Sequence, residues 1–263
     1  MTPKIIFFDI DDTLYRKYTD TLRPSVLQAM NALKAKGILT AIATGRTPAA
    51  FPEKIKQLIR QCGMDMLISI NGQYIEYQGK MLQSYPMDEA DIHAVIAVLQ
   101  RKNIPYAFVG TQHIAVSERN TLTENTLASI LTVCPEDPHY YQKHEVYQML
   151  AFYPPQQDGE ISPDIEALGL KTVRWHENAV DILRSGGSKA VGIAHSVAKL
   201  GIAMQDVMAF GDGMNDIEML QTVGFGVAMG NGEPQAKAAA RHVCPSVDED
   251  GVYRGLQELG IID

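Results

Sequence analysis

The chain has 263 residues, of which 46% are hydrophobic, so it can form one large or two modest domains with real cores. It carries 23 basic and 31 acidic residues, a formal net charge of −8, which argues against a general nucleic-acid binder. No apolar run approaches the thickness of a bilayer, and aspartates interrupt the first apolar run too early for a signal peptide.

The first third of the chain alternates apolar runs with helical patterns. The apolar runs lie at 5–8, 38–44 and 66–70, and the helical patterns at 24–36 and about 48–61. Such alternation is typical of βαβ units in a parallel sheet. The first helix is supported by Pro24, which suits an opening turn, and by Gly37, which suits the left-handed position that ends a helix.

A different pattern follows from about residue 83. A helix at 88–102 precedes two short apolar runs, YAFVG and HIAVS, which only Thr111 and Gln112 separate. This spacing indicates a hairpin, which a parallel sheet does not contain. Further strands are predicted at 146–153, 170–176 and 179–183.

The alternating pattern then returns, with helices predicted at 188–200 and 215–222 and strands at 207–211 and 225–229. The predicted fold class is therefore α/β, a Rossmann-like parallel-sheet core with an inserted α+β domain. The core would comprise 1–82 and 184–263, and the insertion 83–183.

Cysteine usage bears on the compartment. Cys62, Cys134 and Cys244 are widely spaced, odd in number and form no CxxC pair. We interpret them as reduced, mostly buried thiols and expect a cytoplasmic protein.

Three carboxylates follow the first predicted strand, in the sequence Asp9-Ile10-Asp11-Asp12-Thr13. Like charges this close repel and raise one another's pKa values, a conflict that a divalent cation would resolve. Asp9 and Asp11 would point to the same side if the strand continued that far. An acidic turn or a helix N-cap is the alternative interpretation.

A second acidic cluster, GDGMND, ends the predicted strand at 207–211 and contains Asp212, Asn215 and Asp216. Alone, Gly-Asp-Gly is a common turn. Together with the first cluster it indicates an oxygen-only site at the strand ends, which favours Mg²⁺.

Two further segments would complete a phosphate site. Thr44-Gly45-Arg46 follows the strand at 38–44 and offers a hydroxyl, backbone N–H groups and a guanidinium. Lys189 opens a predicted helix, and its ammonium could neutralise an attacking aspartate or a phosphoryl group.

In this order, DIDDT, ATGR, the lysine and FGDGMND resemble the four motifs of the haloacid dehalogenase-like phosphatase superfamily. Asn71-Gly72, the position of the insertion and GVAMGNG at 226–232 resemble its Cof-type subfamily with a type IIB cap. The family commonly has glycine where this chain has Asp12, which affects the local turn.

The resemblance implies a phosphoaspartyl mechanism. Asp9 would be the nucleophile and a Mg²⁺ ligand, and Asp11 would be the general acid and base, with its carbonyl on the metal. Asp212 would bind the metal directly, and Asp216 in or just beyond the first coordination shell.

The substrate-binding residues that the resemblance implies lie in the other two motifs. Thr44 and Lys189 would hold the phosphoryl group, with Gly45 and Arg46 beside it. Asn215 would support the phosphoryl group or orient Lys189.

The expected substrate is a small phosphorylated metabolite, such as a sugar phosphate or a phosphorylated cofactor, and the expected assembly is a monomer or weak homodimer. A phosphomutase would use the same nucleophile, and these motifs do not separate the two. A phosphoacceptor receiver domain and a catalytically idle sugar-phosphate sensor are further alternatives.

Overall fold

The computed structural model describes residues 2–128, 130–131 and 134–263. It divides into two compact units: Met1–Gly45, Pro52–Gln83 and Ser188–Asp263 form the first, and Arg46–Phe51 and Ser84–Gly187 form the second.

The strands, in chain order, are β1 (Ile5–Phe8), β2 (Tyr15–Arg16), β3 (Thr21–Leu22), β4 (Leu39–Ala43), β5 (Met66–Ser69), β6 (Tyr74–Tyr77), β7 (Lys80–Ser84), β8 (Tyr106–Val109), β9 (Ile114–Val116), β10 (Gln148–Ala151), β11 (Leu170–His176), β12 (Ala179–Arg184), β13 (Val207–Gly211), β14 (Phe225–Ala228) and β15 (His242–Val243). The α-helices are α1 (Pro24–Ala35), α2 (Glu53–Cys62), α3 (Glu89–Arg101), α4 (Thr121–Leu127), α5 (Asp158–Glu166), α6 (Lys189–Lys199), α7 (Ile217–Thr222), α8 (Pro234–Ala239) and α9 (Gly251–Glu258).

The first unit is built on an eight-stranded sheet in the order β15-β14-β13-β1-β4-β5-β6-β7. The pairings from β15 to β5 are parallel, and β6 runs antiparallel to β5. All four residues of β1 are fully buried, as expected of a central strand covered on both faces. The predicted α/β class with a Rossmann-like parallel core is confirmed, and β6 and β7 extend it at one edge.

The second unit contains a five-stranded sheet in the order β11-β12-β10-β8-β9. All its pairings are antiparallel, including the predicted hairpin of β8 and β9. Its core packs residues of α3 and α5 against one face of the sheet, among them Val95, Leu99, Ile161 and Ile165.

The predicted helix at about 48–61 is wrong in its first turn. Pro48–Ala50 is a short 3₁₀ turn, and α2 begins only at Glu53. Pro52 is the reason, because a proline disfavours helical backbone in the residue before it, and Phe51 is extended at φ −67° and ψ 129°.

The sequence pattern assigns Arg46–Phe51 to the first domain, whereas the structure groups this segment with the second unit. Two of the described hydrogen bonds join it to other residues of the second unit. The Thr47 hydroxyl donates to the Gly110 carbonyl at 2.6 Å, and the Ala49 N–H donates to the Thr111 carbonyl at 3.2 Å.

Within the described ranges, no helix is both long enough and apolar enough to cross a membrane.

Candidate active site

Asp9 lies immediately after β1, at the carboxyl end of the central strand. Its N–H donates to the Phe210 carbonyl of β13 at 3.0 Å, so the sheet's hydrogen bonding fixes its backbone. The residue is only 5% exposed. A carboxylate this buried needs positive charge or donors around it.

The chain turns directly after Asp9, so β1 does not continue to Asp11. The Ile10 carbonyl accepts the N–H groups of Leu14 at 3.0 Å and Tyr15 at 2.9 Å. The same-side placement of Asp9 and Asp11 by strand alternation therefore does not apply. Asp11 is half-buried, and its negative charge acts on Asp9.

Lys189 supplies the positive charge at Asp9. It is the first residue of α6, whose N-cap Ser188 accepts the Val191 N–H, and it is 1% exposed. Its Nζ donates to Asp9 Oδ1 at 2.6 Å and to Asp216 Oδ1 at 2.7 Å. A buried ammonium is thus held between two buried carboxylates.

Asp216 has both carboxylate oxygens engaged. Oδ1 accepts from Lys189, and Oδ2 accepts the N–H groups of Asp212 and Gly213, each at 2.9 Å. Asp216 therefore orients Lys189 and closes the turn after β13. Asn215, considered in sequence as the residue that orients Lys189, is exposed.

Asp9, Asp212 and Asp216 form the acidic cluster of the described residues. Each offers an oxygen, and these oxygens all lie within 4.8 Å of one another. Thr13 donates from its hydroxyl to Asp212 Oδ1 at 3.1 Å. Asp11, predicted as a ligand through its carbonyl, is not one of the three carboxylates.

The electrostatics of this cluster favour a bound cation. Burial raises the pKa of Asp9; the Lys189 ammonium opposes that shift and the Asp216 carboxylate adds to it. Burial also raises the pKa of Asp212, and the carboxylates of Asp9 and Asp216 raise it further. Burial alone would lower the pKa of Lys189, but Asp216 and Asp9 outweigh it and the net shift is upward.

One ammonium therefore does not neutralise the three carboxylates. The pKa values of Asp9 and Asp212 therefore lie above the ordinary range for aspartate, and additional positive charge would lower them. An all-oxygen carboxylate set is the donor chemistry of hard divalent cations, so these residues fit such an ion.

Thr44 and Gly45 follow β4, at the same edge of the sheet. Thr44 is 1% exposed, and its N–H donates to the Ile68 carbonyl at 2.9 Å. A Cβ built on Gly45 would lie 3.1 Å from Asn71 Oδ1 and 3.5 Å from Asn215 Nδ2. Two carboxamides thus converge on one side of Gly45.

The turn after β5 has unusual backbone geometry. Ile70, Asn71 and Gly72 have φ of 53°, 50° and 91°, three successive left-handed residues. Left-handed geometry is rare for a β-branched residue, and such strain costs about 1–3 kcal/mol per residue. The surrounding packing must therefore stabilise this turn, and Ile70 is fully buried.

Arg46 is a predicted site residue that the structure groups with the second unit. Its guanidinium donates to the Ala50 carbonyl at 2.7 Å. The three-residue motif is therefore divided, with Thr44 and Gly45 in the first unit.

The backbone conformation of Asp12 explains why this position, commonly glycine in the family, also accepts aspartate. Its φ is 57°, in the left-handed region that glycine favours and aspartate tolerates. Its carbonyl accepts from Asn231 Nδ2 at 2.8 Å, and its Oδ1 accepts from Arg16 at 2.9 Å. The same turn is thus formed with a charged residue.

We expect Asp12→Gly to keep the free energy of unfolding within about 1 kcal/mol and activity within about threefold. Glycine removes the backbone strain at this left-handed position, which offsets the loss of the partly exposed ion pair between Asp12 and Arg16. Asp12→Ala is the control and should be less stable by about 1–2 kcal/mol, because alanine adopts this conformation poorly. Denaturant unfolding and steady-state kinetics measure both. A glycine variant as unstable as the alanine variant would contradict this explanation.

Some contacts within the site have no signal in the sequence, although Thr13 and Asn231 themselves lie in the motifs quoted above. Thr13 reaches Asp212 across 199 positions, and Asn231 bridges Asp12 to the Val247 N–H, which it accepts at 2.8 Å. The GNG sequence around Asn231 marks a turn, but its partner lies at the opposite end of the chain.

Comparisons with known proteins agree over the whole chain. A model of the haloacid dehalogenase-like hydrolase family matches residues 6–256. The Bacillus subtilis protein YkrA is 34% identical over 265 residues, which is 100% of both chains. A Streptococcus pyogenes protein, whose name joins a phosphatase to a peptidyl-prolyl cis-trans isomerase, is 35% identical over 268 residues. That match covers 99% of this chain, which spans only 54% of the Streptococcus protein.

A solved structure described as a subclass IIB sugar phosphatase of this superfamily superimposes with a TM-score of 0.89. It is 32% identical, and the match covers 98% of this chain and 100% of that one. These comparisons confirm the resemblance found from the four motifs, and they exclude the alternative of a receiver domain. The chain belongs to the haloacid dehalogenase-like hydrolases.

Proposed function

We propose that this protein is a Mg²⁺-dependent phosphatase that hydrolyses phosphomonoesters of small metabolites through a phosphoaspartyl intermediate. The observation that carries the proposal is the buried Asp9 carboxylate, 2.6 Å from the Lys189 ammonium and clustered with Asp212 and Asp216. Such a carboxylate can act as a nucleophile only where its charge, and that of the incoming phosphate, is offset.

In the first step, one oxygen of Asp9 attacks phosphorus in line with the ester oxygen. A bond from Asp9 to phosphorus forms as the bond from phosphorus to the leaving oxygen breaks. Asp11 donates a proton to that oxygen, and the alcohol departs.

In the second step, Asp11, now ionised, takes a proton from water. The water oxygen attacks phosphorus, the bond to Asp9 breaks, and inorganic phosphate leaves with Asp9 regenerated. The same residue thus acts as acid and then as base, as the reversed direction of proton transfer requires.

Lys189 would neutralise Asp9 and the phosphoryl oxygens, with Asp216 as its orienting partner. Thr44, the N–H groups around Gly45 and Asn215 would bind the transferring group. Because phosphoryl transfer depends mainly on alignment and charge neutralisation, these contacts supply much of what the reaction needs.

The metal would be held by Asp9 and Asp212, with the Asp11 carbonyl as a further oxygen ligand. Asp216 would lie just beyond these ligands, since its oxygens already accept hydrogen bonds. When bound, Mg²⁺ supplies positive charge to the phosphoryl oxygens and to the nucleophile's surroundings.

The second unit would serve as a cap that selects the substrate, with Arg46 as a substrate-binding residue. A sugar phosphatase among the structural relatives supports a small phosphorylated metabolite. We further propose a cytoplasmic enzyme, a monomer or weak homodimer, supported as to compartment by three cysteines that are free thiols.

The test is an assay with p-nitrophenyl phosphate in the presence and absence of Mg²⁺. We expect turnover with Mg²⁺, none after exhaustive chelation and restoration when Mg²⁺ is returned. Ca²⁺ should inhibit, because the larger ion takes more ligands at longer distances and would engage both oxygens of Asp9.

A panel of sugar phosphates, nucleotides and flavin and pyridoxal phosphates then addresses the substrate class. Release of inorganic phosphate supports a phosphatase, whereas isomerised sugar phosphate without phosphate release would identify a phosphomutase. Turnover that survives chelation would contradict the metal assignment.

A further inference from the structure

The turn of Ile70, Asn71 and Gly72 touches two of the segments that carry the proposed chemistry. On one side, the Asn71 N–H donates to the Thr44 carbonyl at 3.0 Å. The Asn71 side chain lies against Gly45, with Oδ1 3.1 Å from the position that a Cβ would occupy there.

On the other side, the turn supports the helix that carries Lys189. A Cβ on Gly72 would lie 2.3 Å from the Ser188 carbonyl, and a Cβ on Gly192 would lie 2.9 Å from the Gly72 Cα. The first turn of α6 thus packs directly on Gly72, with no room for a side chain. The phosphate-binding segment and the lysine share one support.

Asn71 combines an uncommon backbone with a buried carboxamide. Its φ is 50° and it is 4% exposed. Asparagine tolerates the left-handed region better than most residues, but glycine tolerates it best. A role confined to the backbone would therefore be filled at least as well by glycine, so the carboxamide needs an explanation of its own.

We propose that Asn71 is a positioning residue for the phosphatase reaction, whose carboxamide, together with that of Asn215, fixes Gly45 and the Thr44–Gly45 segment relative to Lys189. This inference rests on the proposed function. It assigns Asn71 no contact with the reacting atoms. Its effect is on alignment, to which phosphoryl transfer is sensitive.

The test is Asn71→Gly, which removes the carboxamide while keeping a residue that adopts the left-handed backbone freely. With p-nitrophenyl phosphate we expect kcat to fall about 10- to 100-fold, with KM changed by less than about threefold. Thermal unfolding should be unchanged or shifted upward, because glycine relieves the backbone. The inhibition constant of inorganic phosphate should rise.

Asn103→Gly is the matched control. Asn103 has φ 53°, close to the φ of Asn71, but it is exposed, just beyond α3. Its substitution should leave kcat, KM and phosphate inhibition unchanged. A second variant, Asn71→Ala, should unfold more readily than Asn71→Gly yet lose the same factor in kcat.

A wild-type kcat in Asn71→Gly would overturn the inference, including the case in which only Asn71→Ala loses activity, since the backbone alone would then matter. Failure of the proposed function looks different. In that case the wild-type protein itself would not hydrolyse the ester, and the inference would fall with it.

Discussion

Asp9→Asn is expected to reduce turnover of p-nitrophenyl phosphate by at least about 10⁴-fold, since the amide cannot act as the nucleophile. The substitution keeps the shape of the side chain. It also removes the negative charge of a buried carboxyl. Because burial already raises the pKa of that carboxyl, we expect the variant to fold. Steady-state kinetics and circular dichroism measure the two effects separately.

Asp11→Asn is the matched comparison, since only Ile10 separates Asp11 from Asp9. It should slow proton transfer and hydrolysis, yet still allow some phosphoenzyme to form with a good leaving group such as p-nitrophenol. An Asp9→Asn protein with near-normal turnover would refute the assignment of the nucleophile, whatever Asp11→Asn does.

Lys189→Met is expected to lower both activity and stability. Methionine approximates the length of the side chain but leaves Asp9 and Asp216, 5% and 0% exposed, without their ammonium partner. Removing one partner of a buried ionic group costs about 3–5 kcal/mol. Loss of the donor should also lower kcat by at least about 10²–10³-fold.

Lys199→Met provides the control for this prediction. Lys199 is the last residue of α6, it is exposed, and its Nζ donates only to the Leu82 carbonyl among the contacts described, at 3.2 Å. Its substitution should change the free energy of unfolding by no more than about 0.5 kcal/mol. Denaturant titration of both proteins, in chelator and in Mg²⁺, gives the comparison. Equal stability of the two variants would contradict the charge balance described here.

The central strands were predictable because they are continuous apolar runs. β1 and β13 begin and end at the predicted residues. β11 also has its predicted bounds, although it is an edge strand of the second sheet and not a continuous apolar run. The hairpin of β6 and β7 has no such signal. Its turn is Gln78-Gly79, with φ of 49° and 72°, rather than the Asn-Gly or Asp-Gly pair that marks this type of turn.

The acidic residues of the site were predictable for a topological reason. Parallel strands end at one edge of the sheet, and β1 and β13 are neighbours, so Asp9 and Asp212 meet there. The pairing of Lys189 with Asp216 was not predictable. It depends on which oxygen of Asp216 accepts the backbone N–H groups of the turn after β13 and which stays available to Lys189. A sequence motif does not contain that information.

Backbone conformation is another feature that limited how much of the site could be predicted from the sequence. The left-handed φ of Ile70 is opposed by its local preference and is stabilised by tertiary packing, which the sequence does not show. The division of the Thr44-Gly45-Arg46 motif between the two units likewise depends on hydrogen bonds from Thr47 and Ala49 to residues more than 60 positions away.

We propose that Asp9 carries the phosphoryl group during turnover. Wild-type protein is mixed with p-nitrophenyl phosphate and Mg²⁺, quenched in acid during steady-state turnover and reduced with borohydride, which converts an aspartyl phosphate to homoserine. Peptide mass spectrometry then locates the converted residue. We predict homoserine at position 9 in the wild-type protein and none in Asp9→Asn. Turnover with no conversion at Asp9, or with conversion at another aspartate, would contradict the claim.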